Sequence, residues 1–537
     1  MGCALDCKDR PARELTGERD RRIECAPGAS AELIRADPVH RTVPRRSPNR
    51  LVLSVSAPSQ SRSLAPSWLS EPDDANALTP LVWPTAATRD GDGVLRLGGI
   101  PATALREHFG TPLWVLDEDE VRATARRTLD AFRAAAALHG VQARVYYAGK
   151  AFLSAEVVRW VTEEGLAVDV CTGGELAVAL AAGADPARLG FHGNNKSVAE
   201  LEASVEAGIG SIVIDSLIEI ERLAAIVDRR GVRQSVLLRV NSGVHAETHD
   251  FLATAHEDQK FGFTLTDAAA AASRIRELPG LDLVGLHCHI GSQIFGTAGF
   301  EESASRIVEL HAELLAGGEL PVLNLGGGFG IAYTSVDDPT PIEELAMGIA
   351  DAVARQCEVR GIPIPNLAFE PGRAIVGRAG VTLYEVGTTK PVEVDGAERL
   401  YVSVDGGMSD NPRPALYGAE FSARIASRAS DSEPVLVRVV GKHCESGDVV
   451  VDAEYLPGDV APGDLLAVPA TGAYCFSLAS NYNYVPRPPV VALRGGEARV
   501  IVRGESIDDL LARDAGLTGH PEKGIDMPVL SDRSEDK

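Results

Sequence analysis

Between about Asp117 and Val376, short apolar runs alternate with longer stretches of helical period. The runs are VYYAGKAF, LAVDVCTGGE, RLGFHGNN, SIVIDS, VLLRVNSG, LVGLHCHIGS, VLNLGGGFG and LAFEPGRAIV. Between them lie segments such as SAEVVRWVTEE, ELAVALAAG, VAELEASVEAG and LIEIERLAAIVDRRG. Apolar strands each followed by an amphipathic helix mark βα units with a parallel sheet. Eight such strands over residues 117–377 predict an α/β architecture, a (β/α)8 TIM barrel. Over residues 378–515 the helical period fades. VTLYEVGTTKPVEV, RLYVSVDGG, PVLVRVVGKH, DLLAVPATGAY and ARVIVRGE read as strands of a mainly β C-terminal domain. The strand PLWVLDE stands just before the barrel, and the segment 76–116 leading to it is expected to join that β domain.

The two ends differ from the body. Residues 1–75 carry Arg-, Ser- and Pro-rich stretches such as RTVPRRSPNR with little hydrophobic periodicity, and are predicted to be a disordered extension. Residues 516–537 are polar and turn-rich, as in a flexible tail.

Composition narrows the classes. A chain of 537 residues, 45% hydrophobic and 24% charged, suits a globular protein of at least two domains. The net charge of −24 disfavours nucleic acid or an anionic membrane as partner. No apolar run reaches the roughly 18 residues of a membrane helix. The first thirty residues show no secretory h-region. The eight cysteines are too sparse and irregular for a disulfide scaffold, and Cys3 and Cys7 lack a second ligand pair, so no metal site is expected. Reduced thiols in a cytoplasmic enzyme are the expectation.

In a (β/α)8 barrel, chemistry gathers at the C-terminal ends of the strands. Strand one ends in Lys150, strand two in Asp169, and strand three in His192, Asn194 and Asn195. Strand five carries Arg239. Strand six ends in His287, His289 and Ser292, strand seven in Gly326, Gly327 and Gly328, and strand eight in Glu370, Gly372 and Arg373. A lysine after a strand is ordinarily a solvated surface residue, but VYYAG would bury the stem of Lys150 at the barrel mouth, where Schiff-base chemistry is one use for an amine. Glycines after strands seven and eight stand where barrels bind phosphate through backbone N–H groups. A carboxylate such as Glu370 could hold a pyridine nitrogen protonated, and a flat His289 could stack on an aromatic ring. Together these are the parts of a pyridoxal-phosphate site.

The segments YYAGKA, HGNNKS, GLHCHIGSQ, LGGGFG, EPGRAIVG, DGGMSDNPRPALYG, GKHCESGD and TGAYCFSLASNYN are similar to those of the diaminopimelate decarboxylase family, in that family's order, from about Ala77 to Ala515. The resemblance implies the alanine-racemase-like fold and decarboxylation of meso-2,6-diaminopimelate to L-lysine and CO2 with pyridoxal 5'-phosphate. By it, Lys150 holds the cofactor as a Schiff base, His289 stacks on the ring and Glu370 pairs with its nitrogen. Ser292, Gly327, Gly328, Gly372, Arg373 and Tyr474 surround the phosphate, with Asp169 and Arg239 in support. Arg373, Arg413 and Tyr417 grip the distal carboxylate of the substrate beside Tyr474, and Glu445 takes its distal ammonium. Cys444 resembles the proton donor. The Cys–Glu pair reaches across a homodimer interface, so each site is shared by two subunits. Ser242 in RVNSGV replaces a proline common in the family, and the long N-terminal extension has no counterpart. The rival readings are a related decarboxylase for ornithine, arginine or carboxynorspermidine, a secondary-metabolism paralogue, and a non-catalytic homologue. Arg413 and Glu445 favour diaminopimelate.

Overall fold

The computed structural model describes residues 64–244, 260–394 and 396–517. A small antiparallel sheet opens this part of the chain, with β1 (Thr88–Arg89), β2 (Leu95–Leu97) and β3 (Ile100–Pro101). Helix α1 (Ala102–Phe109) leads to β4 (Leu113–Asp117), all five residues of which are buried. The Asp117 side chain then caps α2 (Glu118–Leu138) by accepting from the Glu120 N–H. The barrel follows.

Its strands are β5 (Ala143–Ala148), β6 (Ala167–Val170), β7 (Leu189–Phe191), β8 (Ser211–Ile214), β9 (Gln234–Arg239), β10 (Leu281–His287), β11 (Val322–Asn324) and β12 (Asn366–Phe369). They close in sequence order, and all neighbours run parallel, with β12 pairing β5. Each of the eight strands overlaps one of the runs read from the sequence, with β5, β9, β10 and β12 starting one or two residues earlier. Continuous burial on both faces explains why those runs are apolar throughout rather than alternating.

The helices between them are α3 (Ala155–Glu163), α4 (Gly173–Ala181), α5 (Val198–Ala207), α6 (Leu217–Arg230), α7 (Leu265–Arg276), α8 (Ala298–Leu314) and α9 (Ile342–Arg360). Ser154, Thr172, Ser197, Ser216 and Thr264 cap α3 to α7 in turn through their side-chain oxygens. Each such cap stabilises its helix by about 1 kcal/mol. After β12 the chain makes only the short α10 (Arg373–Val376), and α2 packs against α9, α10 and β5. The eighth outer helix is thus supplied by the segment before the first barrel strand.

The C-terminal sheet contains β13 (Gly380–Val394), β14 (Ala397–Val404), β15 (Arg424–Ile425), β16 (Pro434–Val440), β17 (Val449–Pro457), β18 (Leu465–Pro469), β19 (Val490–Arg494) and β20 (Glu497–Val502), with α11 (Arg413–Tyr417) after β14. β4 lies between β13 and β19, antiparallel to the first and parallel to the second. The sheet is therefore built from both sides of the barrel.

One boundary is corrected. Residues 64–75, placed by composition in the disordered extension, carry specific contacts. Trp68 Nε1 donates to Glu420 Oε1 at 2.8 Å, Arg399 Nη2 donates to the Leu64 carbonyl at 2.9 Å, and Ala75 is buried. Next to them, Asn76 exchanges hydrogen bonds with Ser430. A few anchors along a Pro- and Ser-rich strap suffice to order it, and average composition does not register them. The expectations for residues 1–63 and 518–537 lie outside the described residues.

Candidate active site

The strand ends converge on a pocket of about 480 Å³. Its lining includes Lys150, Asp169, Cys171, His192, Arg239 and Glu370, along with His287, His289 and Phe261. Lys150 lies in the 3-10 turn Gly149–Ala151 directly after β5. That turn is pinned from the β domain, because the Ala151 carbonyl accepts from the Tyr474 N–H at 2.8 Å and from Ser477 Oγ at 3.2 Å. Burial works against the Lys150 ammonium, but Tyr474, Asp169, Cys171 and Glu370 outweigh it and raise the amine above its ordinary value.

Glu370, just past β12, is held on three sides. Asn324 Nδ2 donates to Oε1 at 2.7 Å, His287 Nε2 lies 3.2 Å from the same oxygen, and His192 Nε2 lies 3.4 Å from it. Burial opposes ionisation, yet His192, His287 and Lys150 together hold the carboxyl well below the usual range. Burial pushes both imidazoles down, His192 to about 3. At neutral pH both rings are therefore neutral; His287 hydrogen-bonds the Glu370 carboxylate, and His192 lies beside it. Asp169 moves the other way, pushed well up by burial and then by the charge of Glu370. The two carboxyls of one pocket are thus driven apart, Glu370 toward the ionised form and Asp169 away from it. The ligand atoms of His192, His287 and Glu370 lie within 4.8 Å of one another. The packing of both imidazoles around one carboxylate, one of them hydrogen-bonded to it, accounts for that spacing.

His289 is half-buried, and burial pushes it well below its ordinary value. Its Nδ1 accepts from the Gly327 N–H at 3.3 Å, which leaves the proton of the neutral ring on Nε2. The loops after β10 and β11 are laced together, with the Ile294 N–H on the Gly328 carbonyl at 2.9 Å. A Cβ at Gly327 would lie 2.1 Å from the Glu370 carbonyl oxygen, and one at Gly328, whose φ is +109°, would lie 2.4 Å from that of Gly291. Only glycine lets these backbones approach so closely. Gly372 packs on Ala148 and Ala151 beside the Lys150 turn.

Arg239 Nε lies 3.9 Å from Asp215 Oδ2, and its guanidinium lies 4.2 Å from the Phe261 ring centroid. A second cationic cluster adjoins the Lys150 turn. Arg373 Nη2 donates to Ser292 Oγ at 2.9 Å and Nη1 donates to the Tyr333 hydroxyl at 2.5 Å. Its guanidinium stacks 4.7 Å from the Tyr474 ring centroid. Arg413, buried at the start of α11, lies 4.8 Å from the Tyr333 centroid and 5.9 Å from that of Tyr474. Its Nη1 is buried with no hydrogen-bond partner among the described residues.

Residues 120–377 match the pyridoxal binding domain of pyridoxal-dependent decarboxylases. Diaminopimelate decarboxylase of Mycobacterium tuberculosis is 53% identical over 444 residues, covering 81% of this chain and 98% of that protein. The chain belongs to the diaminopimelate decarboxylase family. The Bacillus subtilis member is 45% identical, with coverage of 79% and 95%. A solved diaminopimelate decarboxylase from M. jannaschii, in complex with L-lysine, matches with a TM-score of 0.75 at 31% identity, covering 80% of this chain and 98% of that one.

Three residues that the family resemblance assigns to the site are not gathered with the others. Cys444 and Glu445 are exposed and are not part of the pocket lining. Cys444 N–H donates to Asn483 Oδ1 at 3.2 Å, and Glu445 Oε1 accepts from Ser446 Oγ and the Gly447 N–H. Tyr417 ends α11 and is 64% exposed. Sequence reading also missed supporting groups. Asn324 and Tyr333 were not singled out, because neither stands in a motif whose chemistry is visible alone. Lys196 in HGNNKS is buried, donating to Glu219 Oε1 at 2.6 Å and to the carbonyls of Val213 and Gly193. That pair fixes the loop carrying Asn194. A lysine next to two asparagines gave no sign of it.

Proposed function

We propose that this chain decarboxylates meso-2,6-diaminopimelate, releasing CO2 and L-lysine as the last step of lysine biosynthesis. Its cofactor is pyridoxal 5'-phosphate, and the residues present fit that group. An amine, an ionised buried carboxylate and a neutral flat imidazole line one pocket, and the close-packed glycine loop bonds that imidazole. Bound there, the cofactor supplies an electrophilic aldehyde and an electron-withdrawing ring. Lys150 Nζ holds it covalently. Glu370 keeps a proton on the ring nitrogen, and His289 covers a ring face. Ser292, Gly327, Gly328, Gly372, Arg373 and Tyr474 hold the phosphate, while Asp169 and Arg239 set the charge around them.

The observation that carries the choice of substrate is the orphaned donor of Arg413 beside Arg373. Two guanidinium groups, one with a buried unbonded N–H, suit a carboxylate and reject a cationic chain end. Arg373, Arg413 and Tyr417 grip the carboxylate far from the reacting carbon. Cys444 and Glu445 serve the neighbouring subunit of a homodimer, the thiol delivering a proton to the former α-carbon and Glu445 taking the distal ammonium. Their exposure away from their own pocket supports that arrangement. We place the enzyme in the cytoplasm, and no helix among the described residues is long and apolar enough to cross a membrane.

Product analysis tests the reading. Offered meso-diaminopimelate, ornithine and arginine in parallel, the cofactor-loaded protein should release lysine and CO2 from the first alone. Comparable turnover of ornithine or arginine would overturn it.

A further inference from the structure

Tyr333 joins the two arginines. It follows the glycine loop of β11 and is buried. Its hydroxyl accepts from Arg373 Nη1 at 2.5 Å, and its ring centroid lies 4.8 Å from Arg413 Cζ and 5.7 Å from Arg373 Cζ. Arg373 comes from α10 at the barrel rim and Arg413 from α11 in the β domain, so one ring contacts cations from both. The ring is itself fixed. The N–H groups of Tyr333 and Thr334 both donate to Asp337 Oδ2 at 2.9 Å. Ser422 Oγ donates to the Tyr333 carbonyl at 3.1 Å, and Phe421 packs edge-on with centroids 5.1 Å apart.

Two buried cations near one another repel, and before a carboxylate arrives they need another source of stabilisation. An aromatic face attracts a guanidinium, and a hydroxyl bonded to one prong fixes the direction of its planar fork. We propose that Tyr333 is a positioning residue that aligns Arg373 and Arg413 for substrates bearing a carboxylate distal to the reacting carbon. This rests on the reading that these arginines grip that carboxylate, and it names the side chain that sets them.

L-Lysine separates the two ideas. Decarboxylation removes the carboxylate at the reacting carbon, so lysine keeps only the distal one, and cadaverine has neither. Binding of both to the cofactor-loaded protein is measured by titration calorimetry. Tyr333→Phe, which keeps the ring, should weaken lysine roughly 3–10-fold, and Tyr333→Leu roughly 10–50-fold. Cadaverine affinity should change less than about twofold in either variant, and the visible absorption of the bound cofactor should be unchanged. KM for meso-diaminopimelate should rise in parallel while kcat moves less. In an Arg413→Ala background, Tyr333→Leu should add little, because one of the groups it aligns is gone. Equal losses for lysine and cadaverine, full additivity with Arg413→Ala, or an altered cofactor spectrum would each overturn the proposal. If Tyr333→Leu fails to fold, the phenylalanine variant carries the test. A wild-type protein inert toward meso-diaminopimelate would sink the functional reading, while the lysine–cadaverine comparison would still report on Tyr333.

Discussion

Arg413 presents a buried donor with no protein acceptor among the described residues, an arrangement that costs stability unless a ligand completes it. Arg413→Ala should therefore weaken substrate binding by about 2–5 kcal/mol, read as a raised KM, and leave the cofactor spectrum intact. Asp410, three residues earlier, makes a different demand. It is buried and accepts from the Tyr384 hydroxyl and the Gly407 N–H. Burial, assisted by Asp448 and Asp405 and opposed by those hydrogen bonds, pushes it up to about 7. The folded protein thus keeps this proton where an unfolded aspartate, titrating near pH 4, has lost it. The stabilisation is fully present below about pH 4 and is lost as pH rises through about 7. Asp410→Asn, which stays neutral, should flatten the denaturation midpoint across that window and exceed wild type above it by about 2–4 kcal/mol. At this scale, the residues named by type and place at strand ends, Lys150, Asp169, His289 and Glu370, do line one pocket. What sequence could not show is how Glu370 is kept charged. His192, His287 and Asn324 come from three strands, and only the closed barrel brings them to one carboxylate.

Helix α2 ties the barrel to the sheet through one acid. Glu118 is fully buried, and its oxygens lie 2.7 Å from Arg122 Nε, 2.9 Å from Arg494 Nη1 and 2.6 Å from Arg499 Nη2. Removing one partner of a fully buried ion pair costs about 3–5 kcal/mol. Here Arg494 and Arg499 are half-exposed and can rehydrate, so Glu118→Ala should cost about 2–3 kcal/mol, seen as a lower midpoint in urea. A smaller loss than 1 kcal/mol would mean that solvent screens the whole network. The elements divide by legibility on the same physical ground. The eight barrel strands were readable because each is buried on both faces and therefore continuously apolar. Helix α2 was not assigned, because nothing in a local pattern says that a helix before the first strand closes the ring. Strands β1 to β3 are two or three residues long, too short for any period to register.

For the molecule as a whole, the strap and the proposed sharing of sites between subunits give separate tests. A chain beginning at Ala77 would lose the anchors from Trp68 and Asn76 and the buried Ala75. It should melt a few degrees lower than one beginning at Leu64, at about 2–4 °C per kcal/mol. Identical melting would mean that the strap contributes no net stability. Subunit sharing is read by mixing Cys444→Ala with Lys150→Ala protein. If Cys444 acts across a dimer, half of the randomly paired dimers are mixed and each carries one intact site, restoring roughly a quarter of wild-type activity. No recovery, with exchange of subunits shown independently, would place the thiol outside its neighbour's chemistry.

β4 belongs to a sheet whose other strands come hundreds of residues later. Its partners β13 and β19 begin at Gly380 and Val490, while β4 ends at Asp117. During synthesis from the N-terminus, the ribosome finishes LWVLD long before anything exists to pair with it. For that interval a strand that is apolar from Leu113 to Leu116 has two open edges, the state in which chains stick to one another. The nascent protein should therefore depend on chaperones until Val490 to Arg494 have emerged, and truncated translation products ending inside the barrel should be the most aggregation-prone forms of this chain.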